Sequence, residues 1–86
     1  MIVRKVAATR VYLNITEFYA NHVVELADHI ITKHYPLMTE LPHTEWLGGT
    51  IVIHNKHAYH TPKVLSIEEA KRYITNCINM TELESL

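Results

Sequence analysis

Apolar and polar positions along the chain predict five regular elements, of which the first two lie before residue 36. Residues 2–13 (IVRKVAATRVYL) combine Val, Ile and Tyr without Gly or Pro, and apolar residues occur at both odd and even positions. This pattern predicts a strand that is partly buried on both faces. Asn14 and Glu17 have the spacing of a helix N-cap and its capping-box partner, and Tyr35-Pro36 is a natural end. The first helix is therefore predicted over residues 15–34.

A hairpin is predicted in the second half of the chain. Residues 50–54 and 57–61 have strand composition, and Asn55-Lys56 is the predicted turn, although it lacks the Gly that tight hairpins favour. In this register His54 faces His57. The pattern leaves open which face of the hairpin is buried.

A second helix is predicted to begin at Ile67. Ser66 is the expected N-cap, Glu69 its capping-box partner, and Leu65 is placed to contact Ala70. The helix is expected to continue to about Met80. Residues 37–49 are predicted to be irregular, with one short helical turn near residues 44–47.

The predicted order is therefore β-α-β-β-α. It indicates one α+β domain over residues 1–86, in which an antiparallel or mixed three-stranded sheet packs against two helices. The acidic tail, residues 81–86, is expected to fray.

Composition narrows the class of protein. Apolar residues make up 48% of the chain and charged residues 20%, which is typical of a soluble globular domain. No apolar run reaches the length of a membrane helix, and residues 1–5 lack the features of a signal peptide. The single cysteine excludes an internal disulfide and favours a cytoplasmic location. No motif for a cofactor or for catalysis is present, so neither a cofactor nor an enzymatic activity is expected.

The strongest functional signal is the apolar character of the predicted first helix. Two adjacent apolar rows at helical spacing would cover more of its circumference than one contact needs. The first row is Tyr19, Val23, Leu26 and Ile30, and the second is Ala20, Val24, Ala27 and Ile31. Either the chain covers both rows itself, or the second row is open to a partner.

Trp46, in the irregular stretch, would serve either as a lid on the core or as part of a binding surface. Together with Trp46, the second row predicts a non-enzymatic protein-interaction module. It would act as a homodimer, an adaptor or an inhibitor of a partner protein. The small size and a composition rich in Tyr, His, Ile and Asn are also typical of small phage or viral accessory proteins that act on a host factor, although no motif supports that impression.

The alternative is weak binding of nucleic acid or another anion. The net charge of −1 provides no bulk attraction, but seven histidines would bring it to −1 + 7 = +6 if all were protonated. Residues 54–63 hold three His and two Lys and no acid. The candidate contacts are Arg4, Lys5, Lys56, His57, His60 and Lys63. His54 and His57 are also weak candidates for a shared metal ion, but two ligands do not make a site.

Overall fold

The computed structural model describes residues 3–14, 16–38, 43–75 and 83–86. Within these ranges the chain forms seven strands and one helix. They are β1 (Val3–Tyr12), β2 (Phe18–Ala27), β3 (Ile30–Pro36), β4 (Thr44–Trp46), β5 (Thr50–His54), β6 (His57–Thr61), α1 (Ile67–Thr75) and β7 (Glu84–Ser85). The protein is thus mostly β.

All seven strands belong to one mixed sheet in the order β3-β2-β1-β5-β6-β7, with β4 also beside β1. β1 is antiparallel to β2 on one side. On its other side it pairs in parallel with β4 through residues 5–7 and with β5 through residues 10–12. Two separate segments therefore share one edge of β1.

The link between β4 and β5 depends on Gly49. Its φ of 61° lies in the left-handed region, and a Cβ at this position would collide with the carbonyl oxygen of Thr61 on β6. Glycine, which has no Cβ, therefore allows the link between β4 and β5 to lie this close to the backbone of β6.

The predicted fold class is wrong: the sheet has seven strands rather than three, and the described residues contain one helix rather than two. The predicted first helix is the hairpin β2-β3. Asp28 and His29 form its turn with φ of 51° and 71°, and two consecutive positive φ values are what a type I′ turn requires. β2 is buried on both faces over residues 22–26, and strands of this kind carry apolar runs, which here imitated helical spacing.

The residues expected to cap that helix instead close the hairpin β1-β2. The backbone N–H of Thr16 donates to the Asn14 side-chain oxygen at 2.8 Å. The backbone N–H of Leu13 donates to the Glu17 carbonyl oxygen at 2.9 Å. Short polar side chains form such local bonds in turns as readily as at helix ends, so this signal did not distinguish the two.

The predicted β1 and the hairpin β5-β6 are confirmed. The turn falls at Asn55-Lys56 with φ of 50° and 64°, and His54 is the cross-strand partner of His57. The short helical turn expected near residues 44–47 is instead β4, because pairing with β1 holds these residues extended.

The predicted start of the second helix is also confirmed. Ser66 and Glu69 form the capping box: the Glu69 N–H donates to Ser66 Oγ at 3.3 Å, and the Ser66 N–H donates to Glu69 Oε1 at 3.2 Å. The helix is described to Thr75, and residues 76–80 of the predicted helix lie outside the described residues.

Two apolar clusters lie on opposite faces of the sheet, which we call the inner face and the helix face. The inner cluster comprises Val6, Ala8, Val11, Val24, Leu26, Ile51, Ala58 and Leu86. The helix-face cluster comprises Tyr12, Val52, Leu65, Ala70 and Leu83, with Ile67, Tyr73 and Ile74 of α1 packed against it. Both faces of the hairpin β5-β6 are therefore buried, which answers the question that its sequence left open.

The sheet curves so that its distant parts meet around the inner cluster. The N–H of Ile31 on β3 donates to the carbonyl of Lys56 at 2.8 Å, and Nδ1 of His29, in the turn between β2 and β3, lies 2.6 Å from the carbonyl oxygen of Leu86, which follows β7. The tail was expected to fray, but its described residues, 83–86, include β7. The side chains of Leu83 and Leu86 are buried.

Candidate functional site

The five residues predicted to bind a partner do not form one surface. Val24 is fully buried and Ile31 packs against the inner cluster. Ala20 is exposed, Ala27 is half-buried, and Trp46 is 55% exposed on β4. The proposed row required a helix, and in a strand these residues lie on different faces and in different environments.

The six residues considered for anion binding are also dispersed. Arg4 forms an ion pair with Glu45 at 2.7 Å, and His60 is buried with Nε2 3.0 Å from the Gly48 carbonyl oxygen. Lys56 lies at the turn of the hairpin β5-β6 and Lys63 beyond its other end, roughly 17 Å away at the usual strand rise. Lys5 lines a shallow hollow with Arg4, away from Lys63.

The hairpin pair, His54 and His57, stands opposed across β5 and β6 as predicted. His54 Nε2 lies 3.2 Å from the side-chain nitrogen of Asn55, in the turn. In the part of the chain that the structure describes, no group of three or more His, Cys, Asp or Glu residues is placed to hold a metal ion.

A different histidine pair, His22 of β2 and His34 of β3, is in direct contact. His22 Nε2 lies 2.8 Å from His34 Nδ1. The His22 ring is 2% exposed, and its Nδ1 has no hydrogen-bond partner among the described residues, whereas His34 is exposed. The ring of Tyr19 stacks on His22 at a centroid distance of 4.5 Å and an angle of 14°.

A local irregularity in β2 brings Tyr19 and His22 to the same face. Residues three apart in a regular strand point to opposite faces. Asn21, between them, has a φ of 48°. In β1, the partners of Tyr19 and His22 are Val11 and Ala8, and both belong to the inner cluster. The alternation of side chains between the two faces of the sheet therefore shifts by one residue in both strands at the same level.

Burial and like charge both oppose protonation of His22. Loss of hydration lowers the pKa of His22, and the neighbouring His34 lowers it further. On the solvent side, the hydroxyl of Tyr19 donates to Glu17 Oε2 at 2.7 Å, and this bond is the main reason that the pKa of Tyr19 is raised. Both directions favour neutral rings in the stack at neutral pH.

The first residues of β2 leave a strand edge open beside this pair. β3 pairs with β2 from His22 onward, and the last backbone bond runs from the Leu37 N–H to the Asn21 carbonyl at 2.9 Å. No described residue pairs with the outer side of residues 18–20. We call these residues, Phe18, Tyr19 and Ala20, the open edge.

The backbone of the open edge has a defined orientation. The Leu13 N–H donates to the Glu17 carbonyl, so the backbone N–H and C=O groups of Glu17 point toward β1. Those of Tyr19, which lies two residues later and pairs with Val11, point the same way. The N–H and C=O groups of Phe18 and Ala20 therefore face away from β1. Phe18 is 49% exposed and Tyr19 37% exposed, so apolar side chains flank these backbone groups.

The neighbouring edge of β3 is protected, in contrast. Thr32 is an extra residue opposite the Glu25–Leu26 step, which makes a β-bulge. Pro36 has no N–H to donate, Lys33 is charged, and the Ile31 N–H is already bonded to Lys56. Bulges, prolines and lysines are the devices by which sheet edges avoid pairing with other chains.

Sequence reasoning missed both the histidine pair and the open edge, because both lie in the segment assigned to a helix. The signal that was available is the β-branched content of Val23-Val24 and Ile30-Ile31-Thr32, which favours strands. It would have placed His22 and His34 on neighbouring strands.

No helix in the described part of the chain is long and apolar enough to cross a membrane. Compared with known protein families, with curated proteins and with solved structures, the chain shows no match to any of them.

Proposed function

We propose that the protein is a protein-interaction module that associates with a second copy of itself through the open edge of β2. The observation that supports this function is a strand edge, residues 18–20, with which no described residue pairs and which exposed aromatic side chains flank. It lies next to a β3 edge that has several protective features. An edge without such protection is a template for strand pairing.

A second copy is the partner that fits this edge because the pairing is self-complementary. Across a two-fold axis at Tyr19, Phe18 of each copy would pair with Ala20 of the other, so their outward N–H and C=O groups satisfy one another. The Phe18 and Tyr19 side chains of both copies would lose their exposure together. Three residues per copy make a small interface, so the association is expected to be reversible rather than permanent.

The test is a measurement of solution mass by light scattering and sedimentation over about 10 μM to 1 mM, the range that suits an interface of this size. The wild-type protein is expected to shift from monomer to dimer. Ala20→Pro removes the outward N–H but no bond to β1, so this variant is expected to remain monomeric. Ala20→Val, which keeps the N–H, is the matched control and should dimerise.

A second pair of variants separates the edge from general surface hydrophobicity. Phe18→Lys places a charge at the open edge and should weaken dimerisation by at least tenfold. Val64→Lys changes a residue that is 51% exposed elsewhere and should leave dimerisation unchanged. A wild-type protein that stays monomeric at about 1 mM, or an Ala20→Pro variant that dimerises like the wild type, would overturn the proposed function.

A further inference from the structure

We infer that the His22–His34 pair is an acid-sensitive latch on the open edge: protonation releases the end of β3 from β2 and lengthens the edge available for pairing. This inference rests on the proposed function, since it assigns regulation to the same edge. It stands on three observations, namely the 2.8 Å contact, the burial of His22 and the missing partner of its Nδ1.

The neutral pair has one arrangement that fits its surroundings. We assign the shared proton to His22 Nε2, which then donates to the lone pair of His34 Nδ1. His22 Nδ1 is then an unprotonated nitrogen to which no described group donates. The opposite tautomer would place a buried N–H where no described group accepts it, which costs more than a solvated N–H does.

Each way of adding a proton disturbs this arrangement. A proton on His34 Nδ1 either faces the His22 Nε2–H and breaks the bond, or forces the His22 proton to the partnerless Nδ1. A proton on His22 itself places a charge on a ring that is 2% exposed. In every protonated state, therefore, either the bond between the two rings is lost, or His22 buries a charge or an N–H that no described group accepts.

No nearby acid compensates for the added charge among the described residues. From β1, the residue opposite His22 is Ala8, and Arg10 is directed to Tyr12 and the Leu65 carbonyl. From β2 itself, Tyr19 stacks on the ring, and Glu17 is bonded to the Tyr19 hydroxyl.

The remaining charged groups lie on the other side of the sheet. From β3, besides His34, Lys33 lies 3.7 Å from Glu25. Their strand positions place this pair, and the Tyr35 hydroxyl that bonds to Glu25, on the face opposite His22. The charged side chains of β2 and β3 therefore do not neutralise a proton added to the His22–His34 pair.

The end of β3 is the part that this bond retains. Beyond His34, its described backbone contacts to β2 are the pairings of Tyr35 and Pro36 and the bond from the Leu37 N–H to the Asn21 carbonyl. Release of this end exposes the outer backbone groups of residues 21–23 and roughly doubles the length of the strand edge that is available for pairing. Repulsion between the new charges of two copies would oppose pairing, but it is screened beyond about 8 Å at physiological salt.

The experiment measures dimerisation of the full chain by sedimentation at about pH 7.5 and pH 5.5, on either side of the ordinary histidine pKa. The dimer Kd is expected to fall by at least tenfold at the lower pH. His22→Phe keeps a ring against Tyr19 but cannot titrate, so its Kd should be the same at both pH values. His34→Gln, a substitution at an exposed position whose carbonyl can still accept from His22, should lose most of the response. His57→Gln, the matched control, should keep the full wild-type response.

Hydrogen exchange of the Leu37 amide reports the latch directly. Protection is expected at about pH 7.5 and should be lost at about pH 5.5, after correction for the intrinsic pH dependence of exchange. Equal protection at both pH values, an equal or higher Kd in acid, or an unchanged acid response in His22→Phe would each overturn the latch. If dimers form equally at both pH values, the latch fails and the proposed function stands. If dimers form at neither, the proposed function fails and the regulation fails with it, while Leu37 exchange still decides whether the pair opens.

Discussion

The two histidine pairs of this protein consist of the same two side chains, but their surroundings are very different. The hairpin pair, His54 and His57, lies at a two-residue turn, and both rings are half-buried. His22 and His34 lie on adjacent strands that are joined by another two-residue turn, yet their rings are in contact and one is enclosed. Register alone brings two imidazoles near each other, but burial of one ring and the lack of another partner make their protonation interdependent.

Truncation of one ring of each pair should give the largest difference between the two pairs. His22→Ala removes a buried side chain that Tyr19 and His34 both contact, so the free energy of unfolding should fall by about 2–4 kcal/mol. His57→Ala should cost about 0.5 kcal/mol, as is usual for a partly exposed residue. Urea denaturation of both variants measures the difference. Equal losses would mean that enclosure of the His22 ring contributes nothing to stability.

The pH dependence of stability is the second test. The pKa of His22 is lowered in the folded protein, so the unfolded state binds more protons below about pH 6.5. The stabilisation is complete above this pH and is lost as the pH falls toward the folded pKa. The free energy of unfolding of the wild-type protein should therefore decrease as the pH falls from about 7 to about 5.5, and urea denaturation across this range measures the decrease.

Variants assign that loss to one of the pairs. His22→Phe should flatten this urea-derived stability profile because Phe cannot take up a proton, whereas the matched control His57→Gln should keep the slope of the wild type. If His57→Gln flattened the profile instead, the hairpin pair would be the titrating unit.

Addition or removal of metal ions should have the smallest effect on the stability of the protein. Two nitrogens on a tetrahedral zinc ion stand about 3.3 Å apart, so the 2.8 Å separation of His22 and His34 suits a shared proton better. In the described ranges neither pair has a third ligand. Excess chelator should leave the Tm unchanged, and so should equimolar zinc. A Tm rise of several degrees with zinc would show that one of the pairs binds it.

Prediction from the sequence succeeded where local chemistry decides the structure. The turn at Asn55-Lys56, the pairing of His54 with His57 and the capping box at Ser66 all follow from neighbouring residues. The first strand was also evident, because residues 2–13 are rich in Val, Ile and Tyr and contain no Gly or Pro.

Prediction failed where distant residues decide the structure. Residues 18–34 have apolar positions that suit a helix as well as two strands, and β1 resolves the ambiguity by pairing with the first of these strands, β2. β4 likewise exists because an edge of β1 is free to accept it. The open edge and the histidine pair depend on these pairings, so neither could be inferred from spacing alone.

The arrangement of β1 has a consequence for synthesis of the chain on the ribosome. β1, β2 and β3 follow one another and can assemble as soon as they emerge. The other side of β1 must wait for residues 44–52, which β4 and β5 supply in turn. During that interval the nascent chain presents an apolar strand edge that is not yet paired, so misassembly between neighbouring chains on a polysome is favoured until residues 44–52 have emerged from the ribosome.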